Sequence, residues 1–242
     1  MGGNLSGITY NYDTGTYFMV QNNYGKLFEY DRSLKKQLRV IEMKNLKDDD
    51  TEGIFYLGRD RFAISSEDNH IHIFTIRPGD TVLDLNSARE DVQDFTLPPP
   101  SKKNKGLEGV CLAPSKNGGR GTFYTVQEAS PKKVYTFEFP ASDADVTSPK
   151  VLGVKELFNA DKALFLKMSD LSDCTFDTES DHLFLLSHES SKVMEFSRTG
   201  EEIGSLKLPT VAPQYEGITF GPDRELILVS EPNSVVIMKK NH

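Results

Sequence analysis

Three short motifs place a glutamate directly ahead of a glycine: Thr51-Glu52-Gly53, Leu107-Glu108-Gly109 and Tyr215-Glu216-Gly217. Two more segments share the shape with serine in the acidic place, Leu5-Ser6-Gly7 and Leu171-Ser172-Asp173. Carboxylates set this way have two ordinary uses. They accept backbone amides of a neighbouring element, or they ligate a hard cation such as calcium, which takes six to eight oxygens at about 2.3–2.6 Å. The second use requires that the carboxylates converge, and convergence is a question about the elements that carry them.

The five motifs are copies of one repeat. Their third positions, Gly7, Gly53, Gly109, Asp173 and Gly217, are spaced by 46, 56, 64 and 44 residues. A mean period near 48 falls in the range of propeller blades, roughly 40 to 50 residues with four strands each. Each motif opens a short strand, and a turn follows, such as Asp13-Thr14-Gly15 or Gly221-Pro222-Asp223. A second apolar strand comes next: Tyr17 to Val20, Phe62 to Ser65, Phe123 to Val126, Leu183 to Leu186 and Leu226 to Val229. A polar knot then breaks the run, and an alternating third strand follows, as in Ile71-His72-Ile73-Phe74. Fourth strands fit Leu38 to Ile41, Asp94 to Leu97, Val154 to Leu157 and Ile203 to Leu208.

The pattern predicts an all-β, five-bladed propeller of four-stranded antiparallel blades. It predicts a single domain over 1–242, with blades starting near 4, 50, 106, 170 and 214. The long interval from Gly109 to Asp173 holds a helical stretch, Ala160 to Leu166, read as an insertion in preference to a sixth blade. The last blade runs out of chain before a fourth strand. The polar linker from Arg77 to Lys105, with its Lys102-Lys103-Asn104-Lys105 run, reads as a surface loop carrying one strand.

In an antiparallel meander, the start of the first strand and the end of the second lie at one end of the hairpin. With the first strand lining the axis, two series converge on one mouth of the channel: Ser6, Glu52, Glu108, Ser172 and Glu216, then Asn22, Glu67, Glu128, His188 and Glu231. Six carboxylates this close repel and resist burial, so something must neutralise them. We expect Ca²⁺ held among Glu52, Glu108, Glu216, Glu67, Glu128 and Glu231; cysteine and histidine are too sparse for a softer metal.

The repeats resemble the SdiA-regulated, YjiK-like family of propellers. The resemblance rests on Leu5-Ser6-Gly7-Ile8-Thr9-Tyr10 with Asp13-Thr14-Gly15-Thr16, on Thr51-Glu52-Gly53-Ile54, on Leu107-Glu108-Gly109-Val110, on Asp170-Leu171-Ser172-Asp173 and on Tyr215-Glu216-Gly217-Ile218. It implies a five-bladed propeller with a bound calcium ion and no established activity. Metal binding carries over from it only to Glu52, Glu108 and Glu216; the second series comes from topology. Relatives with an N-terminal membrane anchor or export signal imply an extracytoplasmic or membrane-anchored setting, although no such segment is visible here. Met1 to Ser6 fits a myristoylation pattern, but Ser6 already belongs to the first repeat.

Composition narrows the function. The net charge of −8 speaks against a phosphate backbone as partner, and no apolar run is long enough to span a bilayer. We expect a monomeric calcium-binding propeller that serves as a recognition or scaffold module for a small molecule or protein. The alternative is a calcium-dependent hydrolase of esters or lactones, with His188 as general base. Phosphoester hydrolysis would need basic clamps that neither series contains. His70, His72 and His182 read as surface residues, and Ser65, Ser66, Ser187 and Ser230 as turn formers at strand ends. Cys111 and Cys174, on neighbouring inner strands, differ by one in their offset from the repeat glycine, so they are expected to face opposite ways and stay free.

Overall fold

The computed structural model describes residues 4–22, 25–46, 50–86, 91–98, 105–129, 131–140 and 153–239. Residues 1–3, Asn23 and the Lys102-Lys103-Asn104 part of the lysine run lie outside them. The described chain is an all-β ring of five antiparallel blades, as the repeat predicts.

Blade 1 holds β1 (Leu5–Asn11), β2 (Thr16–Gln21), β3 (Lys26–Tyr30) and β4 (Gln37–Lys44). Blade 2 holds β5 (Thr51–Gly58), β6 (Arg61–Ser66), β7 (His70–Thr75) and β9 (Gln93–Thr96). The linker carries a second strand that sequence reading misses: β8 (Val82–Asp84) crosses back and pairs in parallel with β4. Blade 3 holds β10 (Leu107–Ala113), β11 (Thr122–Gln127), β12 (Lys133–Glu138) and the two-residue β13 (Lys155–Glu156). A single helical turn, α1 (Ala160–Ala163), follows it as the insertion. Blade 4 holds β14 (Asp173–Asp177), β15 (His182–Ser187), β16 (Lys192–Ser197) and β17 (Glu202–Lys207). Blade 5 has three strands among the described residues, β18 (Gln214–Phe220), β19 (Leu226–Glu231) and β20 (Ser234–Met238). The thin blade leaves Val235 and Ile237 exposed.

Local chemistry sets the turns. Asn11 Oδ1 accepts the amides of Asp13 and Thr14, and Asp177 does the same for Glu179 and Ser180 in blade 4. Short polar side chains that bond backbone two or three residues on are turn makers for this reason. The strands between them are rich in Val, Ile, Phe and Tyr, and their apolar faces bury between blades. Phe18, Phe62, Ile64 and Phe74 fill the seam between blades 1 and 2, and Tyr124, Leu183, Met194 and Phe196 the seam between blades 3 and 4.

The repeat glycines mark where inner strands touch. A Cβ on Gly53 would lie 2.8 Å from the Glu108 carbonyl oxygen, and one on Gly217 would lie 2.9 Å from Gly7 Cα. The second contact closes the ring between blades 5 and 1. Serines stitch the same seams: Ser6 Oγ donates to the Thr51 carbonyl at 2.7 Å, and Ser172 Oγ to the Tyr215 carbonyl at 3.0 Å.

The cysteines correct a prediction. Cys111 and Cys174 form a disulfide, with Cα atoms 6.0 Å apart. Their offsets do put them on opposite faces of the repeat. In a ring, however, the front of one blade packs on the back of the next. Opposite parity is what brings residues of adjacent blades into contact; it would separate them only within one sheet.

No helix among the described residues is long and apolar enough to cross a membrane.

Candidate metal site at the channel mouth

The glutamates of the first series sit inside their strands, at β-bulges. Pairing between β5 and β6 runs from Thr51↔Ser66 to Ile54↔Ile64, skipping Glu52 and Gly53. The β10–β11 ladder skips Glu108 and Gly109, the β18–β19 ladder skips Glu216, and the β1–β2 ladder skips Ser6. A bulge leaves a residue unpaired and re-aims its side chain, which is why it recurs beside functional sites. The second series sits at strand ends. The backbone amides of Asn22, Glu67 and Glu128 donate to the carbonyls of Asn4, Asp50 and Gly106, at 3.0, 3.2 and 3.3 Å. The two series therefore share one end of each hairpin.

The six glutamates form one acidic field. Carboxylate oxygens of Glu67, Glu108 and Glu128 lie within 4.8 Å of one another. Glu52 and Glu108 are 9% and 8% exposed. Burial, reinforced by the charges of Asp50, Glu216, Glu67 and Glu231, pushes the Glu52 carboxyl well above the usual range. Glu108 is pushed up likewise, by burial and then by Glu52, Glu128, Glu67 and Glu216. Burial and the Asp50 carboxyl, which shares a hydrogen bond with it, raise Glu67 to about 7. Burial and Glu216 raise Glu231, against a hydrogen bond from Asn4. Ser6 and Ser172 do not join this field, because their hydroxyls are spent on the seams.

Four polar residues at the mouth escape the sequence reading. Asp50 and Asp170 each stand two places before the repeat Glu or Ser, as Asn4 does before Ser6, and Lys105 stands three before Glu108. This polar column ahead of the inner strand was the available signal. His188 Nδ1 lies 2.9 Å from Asp170 Oδ2 and 3.5 Å from Glu216 Oε2. Hydrogen bonds to these two carboxylates raise the imidazole to about 10. Burial works against the Asp170 charge, but the bonds from His188 and Ser187 prevail and hold its pKa below the usual range.

The remaining histidines depart from the surface reading, and the strand-end serines are buried. His72 is 1% exposed in the middle of β7, beside Asp94 on the covering strand β9, and its ring stacks on His70. His70 Nδ1 reaches Asp94 at 2.8 Å, and His182 Nδ1 reaches Glu195 at 2.6 Å. Ser65, Ser66, Ser187 and Ser230 are fully buried. Ser65 bridges a seam, accepting from the Gly53 amide and donating to the Glu108 carbonyl.

A model of the SdiA-regulated family matches residues 1–239. The chain belongs to this family. The SdiA-regulated propeller is also similar in fold to a luciferin-regenerating enzyme, at 16% identity and a TM-score of 0.57 over 97% of this chain and 88% of that one. Regucalcin from Agrobacterium tumefaciens, described as a calcium-binding protein, matches at 13% identity and 0.57, over 96% and 84%. A chain of a nidogen/laminin complex matches at 13% identity and 0.58, over 97% and 75%. At these identities the likeness is one of architecture.

The donor set of this SdiA-regulated protein is compatible with a metal ion. Glu67, Glu108 and Glu128 offer hard oxygen ligands from two blades at mutual distances that one cation can span.

Proposed function

We propose that this protein is a calcium-binding propeller that serves as a recognition or scaffold module through its acidic channel mouth. The observation that carries the reading is the burial of Glu52 and Glu108 among like charges. Two carboxylates turned inward by bulges, facing four more, are stable only if protonated or countered by a cation. Glu67, Glu108 and Glu128 would hold the ion, with Glu52, Glu216 and Glu231 closing the shell around it. A bound calcium would supply neutralising charge and coordination positions for an oxygen ligand of a small molecule or protein. The shared architecture with a calcium-binding protein supports the reading by analogy.

The hydrolase alternative assigns His188 as general base. Held between Asp170 and Glu216, that imidazole is protonated at neutral pH, so it donates protons and balances charge. The binding reading therefore fits the site better.

Calcium titration of chelator-treated protein, followed by calorimetry and thermal melting, tests the proposal. Calcium at a hundredfold excess over Kd is expected to add about 2.7 kcal/mol of stability, reversed by EGTA. Absence of both heat and melting shift would sink it. Aromatic esters and lactones are expected to turn over undetectably; turnover abolished by His188→Gln would reinstate the hydrolase.

A further inference from the structure

Among the described residues, Lys105 is the basic side chain that reaches the acidic triad. Its Nζ lies 2.5 Å from both carboxylate oxygens of Glu128. The same carboxylate is within 4.8 Å of those of Glu67 and Glu108. An ammonium astride both oxygens uses the lone pairs that a hard cation would need from that residue. Lysine and ion therefore compete for Glu128.

The backbone beside Lys105 is pinned. A Cβ on the next residue, Gly106, would sit 1.7 Å from the Glu67 carbonyl oxygen, and the Gly106 carbonyl accepts the Glu128 amide at 3.3 Å. Backbone contacts on this side hold Gly106 against Glu67 and Glu128. The Lys105 side chain is free to turn, since it is 37% exposed and rotates about four bonds, while Glu128 beneath it is 13% exposed.

We propose that Lys105 is a displaceable internal counter-ion, which occupies the Glu128 arm of the calcium site and swings to solvent when the ion enters. The inference rests on the calcium reading above. It gives the site a built-in threshold: the cation must outcompete a tethered ammonium at high local concentration, so affinity is lower than the carboxylate count suggests. The freed amine then stands at the rim of the mouth only in the loaded state, where it is available to an anionic group of a bound partner.

Two measurements test this. Calcium affinity of Lys105→Met is compared with wild type by calorimetry, and wild-type Lys105 is labelled with an amine-reactive acetylating reagent, with and without calcium, and read by mass spectrometry. Lys105→Met is expected to bind calcium at least about tenfold more tightly. Calcium is expected to speed acetylation of wild-type Lys105 several-fold, a readout that does not depend on the variant folding. If wild type binds calcium while Lys105→Met binds no tighter, or if labelling is indifferent to calcium, the lysine inference falls and the calcium reading stands. If neither protein binds calcium, both fall together.

Discussion

Asn22 donates its side-chain amide across the seam between blades 1 and 2 to Glu52 Oε1, at 2.9 Å. The groups that otherwise act on Glu52 from nearby are acidic: Asp50, Glu216, Glu67 and Glu231. This bond offsets part of the cost of keeping the Glu52 carboxyl inside. Asn22→Ala is therefore expected to lower the stability of the calcium-free protein by about 1–3 kcal/mol, the usual cost of stranding a buried polar group. Urea denaturation in EGTA checks it.

Glu108→Gln separates stability from binding. The substitution keeps the shape and removes a buried charge that four other glutamates oppose. The calcium-free variant is expected to melt at or above the wild-type temperature, while its calcium affinity falls by at least about tenfold. A purely structural glutamate would show the reverse, with a clear loss of stability and nothing to lose in calcium binding.

The Glu67 carboxyl is raised from 4.5 to about 7 by burial and by Asp50. A raised folded-state value means that its contribution to stability is fully present below about 4.5 and is lost as pH climbs through about 7. Chelated protein should therefore lose stability over that window. Calcium requires the ionised form, so its affinity should rise through the same range. In Glu67→Gln both trends should flatten. Melting curves and calcium titrations between about pH 4 and about pH 8, which bracket both values, provide the check.

The Cys111–Cys174 disulfide joins the inner strands of blades 3 and 4, three residues after Glu108 and two after Ser172. Closing a 63-residue separation is expected to contribute about 2–4 kcal/mol. Reduction, or a double Cys→Ala substitution, should lower the melting temperature and loosen the seam beside the mouth. Thiol titration before and after unfolding should find no free sulfhydryl in the oxidised protein.

Much of this protein is written in its local sequence. The Glu-Gly, Ser-Gly and Ser-Asp motifs, the turn formers after each inner strand and the alternation of the third strands determine five meanders, and five meanders that each bury two faces must close on one another. The convergence of Glu52, Glu108 and Glu216 with Glu67, Glu128 and Glu231 follows from hairpin topology alone, since both series sit at the same end.

What lay beyond the sequence is what depends on how one blade meets the next. Ser6 and Glu52 both stand at bulges, and what separates them is a contact between blades: the Ser6 hydroxyl is taken by the Thr51 carbonyl, whereas Glu52 faces the other carboxylates. Lys105 and Asp170 stand just ahead of their inner strands, but that Lys105 meets Glu128 and Asp170 meets His188 is decided only in the folded ring, and His188 becomes a counter-ion only where Asp170 and Glu216 meet it. The two cysteines bond because a front face packs on a back face, a relation that no single-strand parity contains. Periodicity reports on one sheet at a time; contacts between sheets belong to the closed ring.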